Sequence, residues 1–185
     1  MPGIDGPRLY FADLAALGGH LAQMAAEPCE AAGLSELDHG LQCAAALKAA
    51  APQDVELQIA GLLHDVAYGR PYLGAHHRFG AEAIRGLFGA RVAQLVALHV
   101  DAKRYLVSTD AAYRARLSPV SIKTLAAQGG EMTAQEVAAY EAQAYWRDGV
   151  RLREADDAAK TPGRAVPGLD AWRPVLRRLV RAEAG

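Results

Sequence analysis

Leu62-Leu63-His64-Asp65 ends an apolar run with an imidazole beside a carboxylate. A carboxylate at the end of a buried helix can bridge two cations while the neighbouring histidine ligates one of them. Four further candidate ligands surround the pair: His39 before it, then His76, His99 and Asp156 after it. Five of the six histidines fall between residues 39 and 99, and only His20 lies outside. Four imidazoles and two carboxylates, with no thiolate, suit two ions of iron, manganese, zinc or nickel. On this reading His39, His64 and Asp156 serve one ion, His76 and His99 the other, and Asp65 both. The alternative is a scatter of polar core and surface groups. His64-Asp65 alone does not separate the two, whereas the ordered set of six favours metal.

Helices must bring these residues together. The chain has 185 residues, of which 51% are apolar. Alanine, the best helix former, dominates many segments. One all-α domain with a real core is the expectation. A net charge of −1 gives no case for nucleic acid or an anionic membrane as partner. Arg173, Arg177, Arg178 and Arg181 read as a solvated face of a C-terminal helix. The two cysteines, Cys29 and Cys43, make no disulfide framework, and Cys43 reads as a small buried residue. No apolar stretch reads as a membrane span of about 18 to 20 residues, and no signal peptide is evident. A cytoplasmic location, whose reducing conditions suit ferrous iron, is the expectation.

Residues 1–8 read as loose. The spacing predicts a first helix over Leu9–Ala26, broken at Pro28; His20 there reads as a surface or partly buried histidine. Ser35 caps a second helix, with Glu36 and Asp38 in its first turn, running through His39 to about Ala50. A third runs from about Pro52-Gln53-Asp54 to Asp65 or Val66, with Ile59, Leu62, Leu63 and Val66 as its apolar stripe. Asp65 is then buried, which is costly for a carboxylate unless it is paired or metal-bound. Tyr68 to Ala75 is a loop suited to form part of a lid. His76 opens a fourth helix ending near Gly86 to Gly89, and a fifth covers Ala90 to about Tyr105. Val92, Leu95, Val96 and His99 share its core stripe, and Lys103 follows one turn on, where its ammonium needs an anion. Ser118-Pro119 starts a short helix that stops at Gln128-Gly129-Gly130. Thr133 and Glu136 form a capping box for a long helix, about Ala134 to Lys160, that carries Trp146, Arg153 and Asp156. A last helix covers about Asp170 to Ala184.

The order of ligands resembles the HD-domain superfamily, whose metal motif is His…His-Asp…Asp, and the extra His76 and His99 resemble its two-metal subset. Three further stretches resemble the mixed-valent di-iron oxygenases that cleave carbon–phosphorus bonds: His99-Val-Asp-Ala-Lys103-Arg-Tyr-Leu, Ser118-Pro-Val-Ser121 with Thr-Leu-Ala-Ala-Gln128-Gly-Gly, and Arg153-Glu-Ala-Asp156-Asp157-Ala-Ala-Lys160. The likeness covers about residues 34–163. It implies an HD-domain helical bundle holding two iron ions, Fe(II)/Fe(III), with O2 as co-substrate and a small organophosphonate as substrate. His39, His64, Asp65 and Asp156 would bind one iron, and Asp65, His76 and His99 the other. His76 is preferred to His77 for its spacing from Gly80-Ala81, and Asp156 to Asp157 for its spacing from Arg153. Lys103, Ser121 and Arg153 would hold the phosphonate oxygens, with Gln128 nearby.

The implied reaction converts a 1-hydroxyphosphonate to a carboxylic acid and phosphate, with Asp65 and Lys103 at the chemistry. The sequence departs from the aminophosphonate-cleaving member. That member has a tyrosine and a glutamate where this chain has Cys29 and Ala32, with Glu30 off register, and a histidine where this chain has Tyr68. A trimethylammonium analogue or a simpler 1-hydroxyphosphonate fits better, and Tyr68, Tyr72 and Trp146 are candidate aromatic faces for a quaternary ammonium. The alternative is a metal-dependent phosphohydrolase, the commoner HD chemistry, acting on a phosphate ester or nucleotide. A non-enzymatic binding module is the third reading.

Overall fold

The computed structural model describes residues 9–29, 33–69 and 74–180. Among them are the helices α1 (Leu14–Met24), α2 (Glu36–Ala50), α3 (Val55–Leu63), α4 (His76–Thr109), α5 (Ala111–Ala115), α6 (Pro119–Ala127), α7 (Ala134–Glu141), α8 (Trp146–Ala158) and α9 (Leu169–Leu179). No strand occurs among the described residues, only an isolated bridge between Pro28 and Ser35. The fold is all-α. Residues 1–8, Glu30, Ala32, Tyr72 and Arg181, for which the sequence raises expectations, lie outside the described residues.

Local chemistry sets most of the helix starts. Ser35 Oγ accepts from the Asp38 amide at 3.0 Å, and Ser118 Oγ from that of Ser121 at 3.0 Å. Thr133 and Glu136 close both halves of their capping box. Each satisfies an amide that the first helical turn leaves without a partner. Gly89, at φ 84° and ψ −174°, breaks α4 where the sequence predicts a division into two helices. Only glycine adopts that backbone without strain.

Other bounds need correction. α1 starts at Leu14, not Leu9, because Asp13 caps it through the Ala16 amide at 2.8 Å. α3 stops at Leu63, and His64 is its C-cap. The second half of α4 continues past Tyr105 to Thr109, and α5 follows, which the sequence pattern does not predict. The long helix expected from Ala134 to Lys160 is two, because Tyr145 turns left-handed at φ 64°. That turn is fixed from outside: Gln94 Nε2 donates to Ala144 O at 3.0 Å, Tyr140 Oη donates to Trp146 O at 3.0 Å, and Arg91 stacks over the Tyr145 ring. α9 begins at Leu169 and ends at Leu179, with exposed Arg173, Arg177 and Arg178.

Helices α2, α3, α4 and α8 form the centre, where α3 and α8 each pack against the other three. Leu41, Leu47, Ile59, Leu62, Leu63, Val92, Val96 and Leu152 belong to the principal core between them. α2 and α3 cross at glycine contact. A Cβ on Gly40 would stand 2.6 Å from Leu62 O, and one on Gly61 would stand 2.4 Å from Leu47 Cδ1. Arg91 on α4 pins two other elements. Its guanidinium meets both oxygens of Asp54, the α3 cap, at 2.7 Å, and Asp148 at the start of α8 at 3.2 Å. One correction concerns membranes. By length and composition α4 alone among the described helices could cross one, yet 67% of its apolar window is buried in the fold, so its apolarity is that of a core helix.

Candidate metal centre

The glycine crossing brings His39 on α2 against His64 at the end of α3, with their Nε2 atoms 3.1 Å apart. The fixed tautomers explain the direction of the rings. His39 Nδ1 lies 2.9 Å from Ala159 O, His64 Nδ1 2.8 Å from Gly61 O, and His99 Nδ1 2.7 Å from Val96 O. A carbonyl only accepts, so each Nδ1 is the donor and each Nε2 is the atom turned toward the cluster, the one free to ligate a cation.

Asp65 stands between two such groups. Its Oδ2 is 3.3 Å from His64 Nε2 and 3.7 Å from His39 Nε2. Its Oδ1 is 3.2 Å from His76 Nε2 and 3.6 Å from His99 Nε2, while those two nitrogens are 3.2 Å apart. Asp156 Oδ1 joins the first group, 3.1 Å from His39 Nε2 and 3.8 Å from His64 Nε2. Ligand atoms at about 2.1 Å from a shared ion stand about 3.0 to 3.4 Å from one another in octahedral or tetrahedral geometry. His39, His64 and Asp65 form one group able to hold a cation, and Asp65, His76 and His99 another. The close Nε2 pairs and the aspartate shared between them are the donor chemistry of two cation sites, so the donor set fits two metal ions.

Electrostatics agree with that fit. Burial works against charge on Asp65, but His64 and His76 outweigh it and hold the carboxyl well below the usual range. Burial also opposes the ionised Asp156, yet Arg153 and Lys160 keep it well below. Burial pushes His99 well below an ordinary histidine. Both aspartates are therefore carboxylates ready to ligate.

The structure separates the neighbours that sequence alone left open. His76 Nε2 faces the cluster, whereas His77 is buried with neither ring nitrogen hydrogen-bonded among the described residues. Asp157 points away from the cluster and pairs with Arg153, Lys160 and Tyr113.

One cavity joins the cluster to Lys103, Ser121, Gln128 and Arg153, and Tyr68 also lines it. The Lys103 ammonium, buried at 2% exposure, donates to Thr124 Oγ1 at 3.0 Å, a hydroxyl and not the expected anion. Arg153 Nη1 is 2.8 Å from Asp156 Oδ2. Gln128 keeps a buried amide oxygen without a hydrogen-bond partner among the described residues. Trp146 does not join this wall. It packs against Tyr105 and Tyr140 beneath Arg147, so it offers no face to a ligand here. Thr124 and Lys160 fall in the stretches that carry the resemblance but were given no role there; they line the cavity, as does Glu36, and Tyr113 stands behind it. Lys160 and Thr124 had a signal in their helical spacing from Asp156 and Ser121, whereas Tyr113 had none. His20, outside the cluster, is buried and meets Val66 O at 2.7 Å, tying α1 to the turn after Asp65.

The fold and this site define a helical domain built around paired His/Asp donors sharing one aspartate. The HD domain family model matches residues 22–139, most of the chain, and the chain belongs to the HD-domain family. It is 35% identical over 150 residues, 75% of its own length and 74% of the relative's, to a hydroxymethylphosphonate dioxygenase of Gimesia maris. It is 32% identical over 143 residues to a glycine-betaine-forming [1-hydroxy-2-(trimethylamino)ethyl]phosphonate dioxygenase of Leisingera caerulea, covering 72% of this chain and 73% of the relative. The family match stops before α8, so the place of Arg153 and Asp156 rests on the geometry.

Proposed function

We propose that this protein is a di-iron, O2-dependent oxygenase that cleaves the C–P bond of a small 1-hydroxyphosphonate, giving a carboxylic acid and phosphate. The observation that carries the reading is the union, in one cavity, of twin donor groups sharing Asp65 with a wall of Lys103, Arg153 and Lys160. The names of the two relatives, both phosphonate dioxygenases, support it. Nitrogen and carboxylate donors without thiolate suit iron.

His39, His64, Asp65 and Asp156 would hold one iron, and Asp65, His76 and His99 the second. The irons would supply the activation of O2 that organic side chains lack. The chain's own residues do the rest. Lys103, Arg153 and the Ser121 hydroxyl bind the phosphonate oxygens and neutralise their charge, which fixes C1 beside the metals. The Gln128 amide oxygen can accept from a substrate hydroxyl. Lys103, Ser121 and Arg153 are themselves buried, which strengthens each of these contacts.

The test is O2 uptake by iron-loaded protein with hydroxymethylphosphonate and with [1-hydroxy-2-(trimethylamino)ethyl]phosphonate, with phosphate as second readout. One phosphate per O2 is expected, since the reaction consumes one O2 per bond cleaved. Phosphate release from phosphate esters under argon, without O2 uptake on either phosphonate, would replace this reading with the phosphohydrolase.

Lys103 gives the site a pH signature. Burial and the nearby Arg153 guanidinium push its ammonium down to about 8. The cation that binds the phosphonate is present below that pH and is lost above it. KM for the phosphonate is therefore expected to rise as pH climbs through about 8. Lys103→Ala should retain both metals, raise KM by about 10-fold or more, and flatten that limb. An unchanged KM–pH profile in the variant would remove Lys103 from the binding site.

A further inference from the structure

Arg153 reaches the cavity with most of its hydrogen-bonding capacity already committed. A guanidinium carries five N–H donors. Its Nε bonds Tyr113 Oη at 3.0 Å and Asp157 Oδ2 at 3.1 Å. Its Nη2 pairs with Asp157 Oδ1, and its Nη1 meets Asp156 Oδ2 at 2.8 Å. One hydrogen on each terminal nitrogen is left for anything in the cavity. Their direction is thus set by what grips the opposite edge of the fork.

That grip comes from α5, an element with no residue in the metal centre. Asp110 caps α5 by accepting from the Ala112 amide at 2.8 Å and the Tyr113 amide at 3.1 Å. The Tyr113 ring is buried with Leu106 and Val107. Its hydroxyl donates to Asp157 Oδ2 at 2.6 Å and accepts from Arg153 Nε. Asp157 has a competing partner in Lys160, 3.6 Å away, and its side chain is 28% exposed, so water can also claim it. The fork between Asp157 and Arg153 keeps its register only while a third group holds the carboxylate.

We propose that Tyr113 is a positioning residue for oxyanion binding: with Asp157 it clamps the back of Arg153, so that the guanidinium presents its two remaining N–H groups to the phosphonate while holding Asp156. The inference rests on the proposed assignment of Arg153 to the phosphonate. It makes α5 part of the functional apparatus. It also divides the work of Asp156-Asp157 between the two carboxylates. Asp156 faces the cluster, and Asp157 aims the arginine.

Tyr113→Phe removes the hydroxyl and keeps the ring. Expected for the iron-loaded variant are unchanged metal content, inorganic phosphate bound about 10-fold more weakly in calorimetry, and a matching rise in KM with kcat changed far less. Asp157→Asn should act in the same direction and remains available if Tyr113→Phe folds poorly. Because both act through one guanidinium, the double variant should lose little beyond the larger single loss. Phosphate affinity equal to wild type in both single variants, or losses that simply add, would overturn the clamp. Failure of the wild type itself to bind phosphate would overturn the phosphonate assignment and the clamp with it.

Discussion

On the proposed two-iron reading, replacing Asp65 with alanine is expected to strip both metals from the protein and to abolish turnover, a loss of at least about 10³-fold. The size of the effect follows from position. Among the described residues Asp65 is the one side chain whose two oxygens face different donor groups, Oδ2 toward His39 and His64 and Oδ1 toward His76 and His99. Loss of any one histidine leaves the other group whole. Loss of Asp65 would remove a donor from each and the negative charge that would balance two cations there. Metal analysis of the purified variant, beside its helical circular dichroism, is the measurement. Two equivalents of iron bound to a folded Asp65→Ala protein would exclude the bridging role.

Gly40→Ala should separate the two groups. Alanine favours a helix over glycine by about 1 kcal/mol, so the intrinsic effect is stabilising. Against it, the new Cβ would stand 2.6 Å from Leu62 O, a backbone atom that cannot swing aside. Forced repacking of a close contact costs about 1 to 3 kcal/mol, and here the crossing of α2 over α3 must open. His39 rides on α2 and His64 ends α3, so the group they share with Asp156 widens, while His76 and His99, carried by the two halves of α4 that meet across the Gly89 break and by neither crossing helix, keep their spacing. A lower unfolding temperature and iron falling toward one equivalent per chain are expected. Gly86→Ala is the control. A Cβ there meets nothing within 4 Å, so this variant should be neutral or slightly stabilised. Full iron content in Gly40→Ala would show that the crossing does not set the site.

Interactions that reach only three or four residues along the chain were legible without coordinates. Ser35, Ser118 and Thr133 cap their helices because hydroxyl and amide lie within one turn. The break at Gly89 follows from a backbone that glycine alone tolerates. The all-α class follows from composition and helical periodicity, and the candidate ligands stood out by residue type and order. The break at Tyr145 and the helix α5 depend on distant partners, which no periodicity records. Gln94, Tyr140 and Arg91 hold the first, and the docking of Tyr113 onto Asp157 and Arg153 gives the second its place.

The ordering of His76 before His77, and of Asp156 before Asp157, depends on which way each side chain points. Adjacent helical residues face directions about 100° apart, so that choice belongs to the packing of α2, α3, α4 and α8 around the cluster. The sequence by itself determined which chemical groups the helices carry. The tertiary structure decided which of them meet, because a glycine contact between two helices and a carbonyl behind three of the four imidazoles fix distances that residue order cannot encode.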